Sequence, residues 1–460
     1  MIYQSTRGGA PESDFATVIL DGLAPDGGLY VPKTLPTFDA TEMAALRGAD
    51  LSRITCAITA KFAAGCLDPR QVDTILSHAF AGFTHPAATP LVELAPQSWL
   101  LELFHGPTLA FKDVAMQVLA PLMAHFLTQQ GRTAFILGAT SGDTGGAAMA
   151  AFAGVAGVRS LFLYPDGGVS PFQEAQMLGL SGPTQRAIPV SGSFDDCQRI
   201  VKSLVARPDL RERLGLTAVN SVNWGRILAQ SGYYARTALI LGTPDRQVDF
   251  VVPTGNFGNI YAGWIARRMG FPIGRLTMAV NENDSLHGAF HHGALTPAST
   301  VKTNTPAIDI QLASNLERLV HDLAPDAVRT MVQALSERKP ASVRSLAAEN
   351  LAAFFDVQRV SQGQTLARIK TVFDQTHHIV DPHTALALEA ASIRPHADRE
   401  TVVLATAHPI KFAETVTRMI DEKHLLRGCP SSSTVNAQRP TAIAATEGEV
   451  AEAIENCARN

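Results

Sequence analysis

A short apolar run leads into a turn rich in glycine and hydroxyl groups in Ala134-Phe-Ile-Leu-Gly-Ala-Thr-Ser-Gly-Asp-Thr-Gly-Gly146, and an alanine-rich helix is predicted over 147–152. The same order recurs at Val248–Val252, where the glycine turn 254–259 precedes a predicted helix over 260–269. Further apolar strands are predicted at Ser160–Tyr164, Leu276–Val280 and Thr401–Ala405, the last followed by a helix over 411–420. Strands that alternate with helices in this way predict an α/β protein with parallel sheets.

The length of 460 residues exceeds what one hydrophobic core usually serves, so we expect several lobes with a cleft between them. Residues 1–95 lack the alternating pattern and are predicted to form an amino-terminal lobe. Residues 96–430 are predicted to form the main region, with a smaller lobe over about 125–220, and 431–460 a carboxy-terminal tail.

The composition excludes several classes of function. Hydrophobic residues make up 46% and charged residues 17%, and the net charge of −4 comes with no basic run, so nucleic acid is not an expected partner. No apolar stretch approaches the roughly 20 residues that span a membrane, and the amino terminus lacks a signal-peptide pattern. We therefore expect a cytoplasmic protein, and the five scattered cysteines predict no metal site.

Both glycine turns are candidate anion sites, because backbone amides at the start of a helix attract negative groups. In the first turn, Thr140, Ser141 and Thr144 add hydroxyl groups, but the GK[ST] ending of a nucleotide-binding loop is absent. Alternatively, Asp143 or Thr144 only caps the helix. In the second turn, Gly255 and Gly258 permit a close approach of the backbone to a phosphate.

Lys112 lies between apolar neighbours in Phe104-His-Gly-Pro-Thr-Leu-Ala-Phe-Lys-Asp113. Desolvation there would favour the neutral amine, which is a nucleophile toward a carbonyl, although a solvated or ion-paired lysine is an equally good interpretation of the motif alone. Two anion loops together with such a lysine indicate pyridoxal phosphate with an amino-acid substrate.

Two further residues are candidates for the same site. Thr406 follows the last predicted strand, where open α/β sheets bind ligands, and its hydroxyl could contact the pyridine nitrogen or simply cap the next helix. Arg226 has small and polar neighbours, which suits a contact to a phosphate, and a structural ion pair fits equally well.

The chain resembles threonine synthase, a fold-type II (tryptophan synthase β-like) pyridoxal-phosphate enzyme, in the branch with an extended amino-terminal domain. The resemblance extends over nearly the whole chain, through eight segments in one order: Tyr3–Gly8, Asp26–Pro32, Phe104–Asp113, Ala139–Gly145, Asn220–Arg226, Gly255–Gly258, Asp381–Ala385 and Thr406–Pro409. It departs at Asn259, where relatives often carry Asp, and at Gly225, where they often carry Ala. Neither change removes a reacting group.

The resemblance implies roles for the candidate residues, except that the contact to the substrate phosphate is assigned from local sequence and the needs of the reaction. Lys112 would form the Schiff base, the loop Gly255, Asn256, Phe257, Gly258 and Asn259 would hold the cofactor phosphate, and Thr406 and Asp381 would lie beside the cofactor. The segment Thr140, Ser141, Asp143 and Thr144 would hold the substrate carboxylate. The substrate phosphate is assigned first to Arg226, with Lys411 and His105 as the other candidates.

The implied reaction converts O-phospho-L-homoserine and water to L-threonine and phosphate, the last step of threonine biosynthesis, in a monomer or homodimer. A serine or threonine dehydratase, or a β-replacement enzyme, would share the lysine and both loops but needs no cationic pocket for a substrate phosphate. A phospho-lyase that releases a keto acid would share the pocket as well. A non-catalytic relative that binds the cofactor would have little use for an intact Lys112.

Overall fold

Two sheets of different size, one fully and one mainly parallel and each flanked by helices, make up most of the structure. The computed structural model describes residues 1–205, 207–217, 219–242, 246–393, 398–426 and 439–459. The amino-terminal part contains two short strands and four helices, namely β1 Tyr3–Ser5, α1 Phe15–Asp21, β2 Tyr30–Pro32, α2 Ala40–Leu46, α3 Leu51–Phe62 and α4 Pro69–Leu76.

The next part of the chain enters both sheets. Its elements are β3 Leu91–Ala95, β4 Ser98–Glu102, α5 Lys112–Gln130, β5 Ala134–Ala139, α6 Asp143–Phe152, β6 Val158–Pro165, α7 Pro171–Gly179, β7 Gln185–Ser191, α8 Phe194–Val205, α9 Pro208–Leu214, β8 Leu216–Thr217 and α10 Trp224–Leu241.

The chain then returns to the larger sheet. The elements are β9 Val248–Pro253, α11 Gly258–Arg268, β10 Ile273–Val280, α12 Ser285–His292, β11 Ala294–Leu295, α13 Leu316–Leu323, α14 Ala327–Ser336, β12 Ala341–Ser342, α15 Glu349–Ala352, β13 Phe355–Arg359, α16 Gln362–Thr376, α17 Pro382–Ile393, β14 Thr401–Ala405, α18 Ala413–Val416, α19 Glu422–Leu426, β15 Ile443–Ala444 and α20 Glu447–Arg459. Short 3₁₀ helices cover Pro306–Ile308, Arg344–Ala347 and Pro409–Phe412.

The larger sheet has six strands in the order β13-β10-β9-β14-β4-β3, and only the edge pair β3–β4 is antiparallel. The smaller sheet has five parallel strands in the order β15-β7-β6-β5-β8. The predicted parallel sheets are therefore confirmed. The helix predicted over 411–420 is wrong in extent, because the chain forms a 3₁₀ turn and then only the four-residue α18.

The carboxy-terminal segment is integrated into the smaller lobe. Strand β15 pairs with β7, and α20 packs against α8 and β6, where Val450 and Ile454 are fully buried. We therefore propose that 439–459 belong to the smaller lobe, although they fall within the predicted tail 431–460. The boundaries placed at 95 and 430 stay predictions, and residue 430 lies outside the described residues.

Helix α10 forms the centre of the main hydrophobic core. It is buried along nearly its whole length and packs against α3, α5 and α11. A helix that is buried on nearly all sides is stable only inside a larger assembly of elements, which explains why the amino-terminal helix α3 covers one of its faces. Because α10 begins at Trp224, this packing also fixes the position of Arg226.

Candidate active site

The turn before α5 fixes the position of Lys112. The Asp113 carboxylate accepts hydrogen bonds from the Thr108 backbone N–H at 2.8 Å and from the Thr108 hydroxyl at 2.6 Å. Leu109 has a φ of +60°, which is uncommon for a side chain of this kind. A Cβ added at Gly106 would lie 2.4 Å from the Asp113 Cβ, so only glycine fits there. Lys112 is therefore held at the first residue of its helix.

The loop after β14 lies directly against this turn. The Phe111 N–H donates to the Thr406 carbonyl at 2.9 Å, and the His408 N–H donates to the Leu109 carbonyl at 3.0 Å. The Thr406 hydroxyl has no hydrogen-bond partner among the described residues, and the residue is buried. Two segments almost 300 residues apart in sequence are thus brought together at the carboxyl end of a central strand.

Two lysines share one buried carboxylate. Asp143 lies 3.0 Å from the Lys112 Nζ and 3.1 Å from the Lys411 Nζ, and it accepts a hydrogen bond from the Gln173 side chain at 2.8 Å. Its predicted contact with a substrate carboxylate is disfavoured, because two carboxylates repel each other and this one already has three donors. The geometry makes the Asp143 side chain a counter-ion for the lysines.

The ion cluster shifts the pKa values of its members in opposite directions. Burial lowers the pKa of Lys112, and the nearby charges of Arg226 and Lys411 act in the same direction, while the Asp143 carboxylate opposes them. Burial alone would raise the pKa of Asp143, but its two lysine partners hold it far below the usual range. Lys112 is therefore an amine that can lose and regain a proton beside a permanent anion.

The start of α6 keeps several amides available. The Thr140 hydroxyl oxygen accepts hydrogen bonds from the Gly142 N–H at 3.0 Å and the Gly145 N–H at 2.8 Å. Thr140 therefore caps the helix, a role that the sequence alone had left to Asp143 or Thr144. The N–H groups of Ser141, Asp143 and Thr144 have no acceptor among the described residues. These amides, rather than the Asp143 side chain, suit an anion.

The second glycine loop presents five consecutive amides. The N–H groups of residues 255–259 have no acceptor within the described part of the chain, and the Asn256 carbonyl is turned away onto the Asn315 N–H and side-chain amide, both at 3.1 Å. A Cβ added at Gly255 would lie 3.0 Å from the Ile308 Cα. Phe257 has a φ of +64°, so the chain turns sharply into α11. Such a nest of amides at a helix start fits a phosphate.

Asp381 supports this loop indirectly. Its carboxylate accepts from the backbone N–H and the Nδ1 of His383 at 2.9 and 2.8 Å, and from the Thr384 hydroxyl. The His383 Nε2 in turn accepts from the Ala307 N–H at 3.2 Å, and the Ala307 carbonyl faces Gly255. Through His383, Asp381 therefore supports the segment that packs against Gly255, and its predicted place beside the cofactor stays a prediction.

Asn259 differs from the other loop residues. Its side-chain oxygen accepts hydrogen bonds from the hydroxyls of Tyr233 at 2.5 Å and Tyr234 at 2.9 Å, whereas its Nδ2 is buried without a partner. The carbonyl oxygen accepts both tyrosine hydroxyls, as one oxygen of an Asp at this position would. The departure to Asn thus leaves the tyrosine contacts intact and removes one negative charge next to the loop.

Arg226 is a buried cation without an acidic partner in the described residues. Its residue surface is 3% exposed, its Nη1 donates only to the Val219 carbonyl at 3.3 Å, and its Nε has no partner. Burial lowers its pKa to about 10, so it is still protonated near pH 7. Its positive charge contributes to the lowered pKa of Lys112, so the two groups lie within electrostatic range of each other. A desolvated guanidinium in this state calls for an anionic ligand.

The other two candidates for a phosphate contact are already engaged. Lys411 donates to the Thr108 carbonyl at 2.6 Å and to Gln176 at 2.9 Å, besides its ion pair with Asp143. His105 is held by Glu102 at 2.7 Å, and His378 contacts the same carboxylate at 3.2 Å. Of the three, Arg226 is the one whose charge has no carboxylate partner among the described residues.

Sequence reasoning missed three residues that shape the site. It gave no role to Asp113, which holds the lysine turn, or to Gln173 and Gln176, which hold the two ends of the ion cluster. The two glutamines lie one turn apart on one face of α7, a spacing that could have marked them as a pair. Nothing local indicates their partners, which are 30 and 235 residues away in sequence.

Two kinds of feature are absent from the described residues. No group of three or more His, Cys, Asp or Glu side chains is arranged to hold a metal ion. Likewise, no helix within the described ranges is both long and apolar enough to cross a membrane.

Comparisons with known proteins agree with this geometry. Family models match residues 2–80 (threonine synthase N terminus), 83–407 (pyridoxal-phosphate dependent enzyme) and 384–456 (threonine synthase, C-terminal). The chain is 41% identical to the threonine synthase of Pseudomonas aeruginosa, over 91% of this chain and 90% of that protein. It belongs to the threonine synthase family.

Solved structures of the threonine synthase family have the same fold. The pyridoxal-phosphate-bound enzyme from Brucella melitensis matches with a TM-score of 0.93 and 39% identity, with both chains covered completely. The yeast enzyme matches with a TM-score of 0.90 and 32% identity, over 100% of this chain and 99% of that chain. The predicted fold-type II class and the predicted cofactor are therefore confirmed.

Proposed function

We propose that this chain is a threonine synthase, a lyase that converts O-phospho-L-homoserine and water to L-threonine and phosphate. The family membership supports the reaction, and the single observation that supports its phosphorylated substrate is the unpaired guanidinium of Arg226 close to Lys112. An enzyme for unphosphorylated serine or threonine needs no second cationic site for a phosphate besides the loop that holds the cofactor phosphate.

The described residues fit pyridoxal phosphate. The acceptor-free amides of 255–259 would hold its phosphate, the Lys112 amine would hold its aldehyde carbon, and the Thr406 hydroxyl is free to face the ring nitrogen. When bound, the cofactor supplies an electron sink for negative charge that develops on the substrate carbons. The free amides of Ser141, Asp143 and Thr144 would orient the substrate carboxylate.

Lys112 would move the protons. The reaction requires loss of a proton from Cα and from Cβ, gain of one at Cγ and expulsion of phosphate. Water then adds across Cα and Cβ, which places the hydroxyl on Cβ and returns a proton to Cα. An amine that is tethered beside these carbons can accept and return protons, and its lowered pKa makes the neutral form accessible. Asp143 stabilises the protonated form, with Lys411 and Gln173 holding the carboxylate in place.

Product analysis tests the proposed reaction. We expect the purified protein with pyridoxal phosphate to convert O-phospho-L-homoserine to equal amounts of threonine and phosphate. A phospho-lyase would instead release phosphate together with a keto acid and ammonia. Phosphate release without threonine would contradict the proposal, and turnover of serine alone would favour a dehydratase.

The close packing at Gly255 gives a second prediction. Gly255→Val is expected to weaken pyridoxal phosphate binding by roughly tenfold or more, since forcing extra carbon atoms into a packed site costs about 1–3 kcal/mol. The displaced group would be the backbone at Ile308, which lies 3.0 Å from an added Cβ. Cofactor titration followed by absorbance measures the effect.

Gly363→Val is the matched control, because a Cβ at this exposed position meets nothing within 4 Å. It should bind the cofactor like the unaltered protein. If Gly255→Val also kept full affinity, the phosphate site would have to be sought at the turn 140–144.

A further inference from the structure

Arg318 is a fully buried arginine behind the glycine loop. Its residue surface is 0% exposed, its Nε donates to the Tyr30 carbonyl at 3.1 Å, and its two Nη groups donate to the Val222 carbonyl at 2.6 Å and to the Asn315 side-chain oxygen. Burial lowers its pKa to about 10, which leaves it protonated near pH 7. All three acceptors are uncharged, so the guanidinium fork fixes three separate chain segments at one point.

The first of these segments leads to the cofactor loop. Asn315 is fully buried, and its Nδ2 donates to the Asn256 and Ser221 carbonyls, both at 3.1 Å. This contact turns the Asn256 carbonyl outward. Because the C=O and the following N–H of one peptide point in opposite directions, the contact also aims the Phe257 N–H into the loop. Arg318 holds the oxygen of the same amide group and therefore fixes its orientation.

The second segment leads to Arg226. The Val222 carbonyl, which Arg318 holds, lies two residues before the start of α10 at Trp224. The Trp224 ring packs 5.6 Å from the guanidinium carbon of Arg318. The third segment is strand β2 of the amino-terminal part, through Tyr30. One side chain thus connects the amino-terminal part to both proposed phosphate-binding elements.

We propose that Arg318 is a positioning residue that orients the amides of the 255–259 loop toward the cofactor phosphate. By the same contacts it fixes the position of this loop relative to Arg226. The inference rests on the proposed function in one respect, since it takes this loop as the site of the cofactor phosphate. An ion pair with an acidic neighbour does not explain the burial of Arg318, because Glu317 pairs with Arg7 at 2.9 Å and Asp322 pairs with Arg268 at 3.1 Å. The amino-terminal part then contributes to cofactor binding without touching the cofactor.

The test separates the phosphate contribution from general stability. Cofactor-free protein is titrated with pyridoxal phosphate and with pyridoxal, which lacks the phosphate, and the ratio of the two affinities is measured. We expect Arg318→Lys to reduce this ratio about tenfold or more, as for loss of hydrogen bonds from a charged group, with little change in the affinity for pyridoxal. Asn315→Ala keeps the arginine and its two carbonyl contacts but removes the amide through which Arg318 acts on the loop, so it should reduce the ratio in the same way. An unchanged ratio in this variant would overturn the inference even if Arg318→Lys does not fold.

Arg267→Lys is the matched control. Arg267 lies in the last turn of α11, donates to the Gly274 carbonyl at 3.1 Å and stacks over Phe354 at 4.2 Å, so it makes similar contacts away from the loop start. It should lower the thermal unfolding midpoint without changing the affinity ratio.

Gly255→Val separates the two ways in which the inference can fail. If it lowers the ratio and the variants of Arg318 and Asn315 do not, Arg318 is only structural and the inference is overturned. If none of the three changes the ratio, the loop itself is not the phosphate site, and the inference is overturned together with that assignment. A reduced ratio in all three, but not in Arg267→Lys, supports it.

Discussion

Lys112→Ala is expected to reduce threonine formation by on the order of a thousandfold or more, because in the proposed mechanism this amine both holds the cofactor and moves the protons. The fold should survive, since Asp143 retains Lys411 and Gln173 as partners. The measurement is threonine formed from O-phospho-L-homoserine under saturating cofactor, alongside thermal unfolding of the purified variant.

Lys112→Arg distinguishes the chemistry of this amine from its charge. The substitution keeps a cation beside Asp143 but cannot form a bond with a carbonyl carbon under these conditions. It should be as inactive as the alanine variant. Substantial activity in either variant would mean that another group does the chemistry. Lys370→Ala serves as a control, because that surface lysine only pairs with Asp374 on its own helix.

Arg226→Ala is expected to lower kcat/KM for O-phospho-L-homoserine by roughly ten- to a hundredfold, since loss of a charged hydrogen bond costs about 1.5–3 kcal/mol. The effect should be much smaller for the slow processing of serine, which carries no phosphate. Cofactor retention should be unchanged, because we propose that the loop 255–259 holds the cofactor phosphate independently of Arg226. Steady-state kinetics with the two substrates measures the difference.

Arg236→Ala is a matched control on the same helix. Arg236 is a partly buried arginine that donates to the Thr89 carbonyl at 2.9 Å, away from Lys112. It should affect both substrates little and equally. If Arg226→Ala lowers kcat/KM equally for both substrates, Arg226 has a structural role. If the variant loses bound cofactor, Arg226 contacts the cofactor phosphate and not the substrate phosphate.

Local sequence patterns were sufficient for the elements that present the site. The parallel strands β5 and β9 and the glycine turns that follow them could be predicted because apolar runs and glycines act over a few residues. The apolar neighbours of Lys112 were visible for the same reason. Helix ends were less accurate, as the short α18 shows, because helix length depends on tertiary packing.

The partners of the charged residues were beyond the reach of a single sequence. The resemblance placed Asp143 among the residues that would hold the substrate carboxylate, but its side chain pairs with Lys112 and Lys411, which are distant in sequence. His105 and Lys411 were likewise candidates for a phosphate contact. In the structure His105 pairs with Glu102, and Lys411 contacts Asp143, Thr108 and Gln176. Such pairings follow from how the sheets and loops meet, which residue spacing does not encode.

Borohydride reduction followed by peptide mapping tests the central claim most directly. The reagent converts the bond between pyridoxal phosphate and its lysine into a stable amine, so mass spectrometry identifies the modified residue. We predict one modified lysine, Lys112, in a peptide that contains the turn 106–111. Modification of Lys411, which lies beside the same carboxylate, or of any other lysine in place of Lys112 would contradict the account.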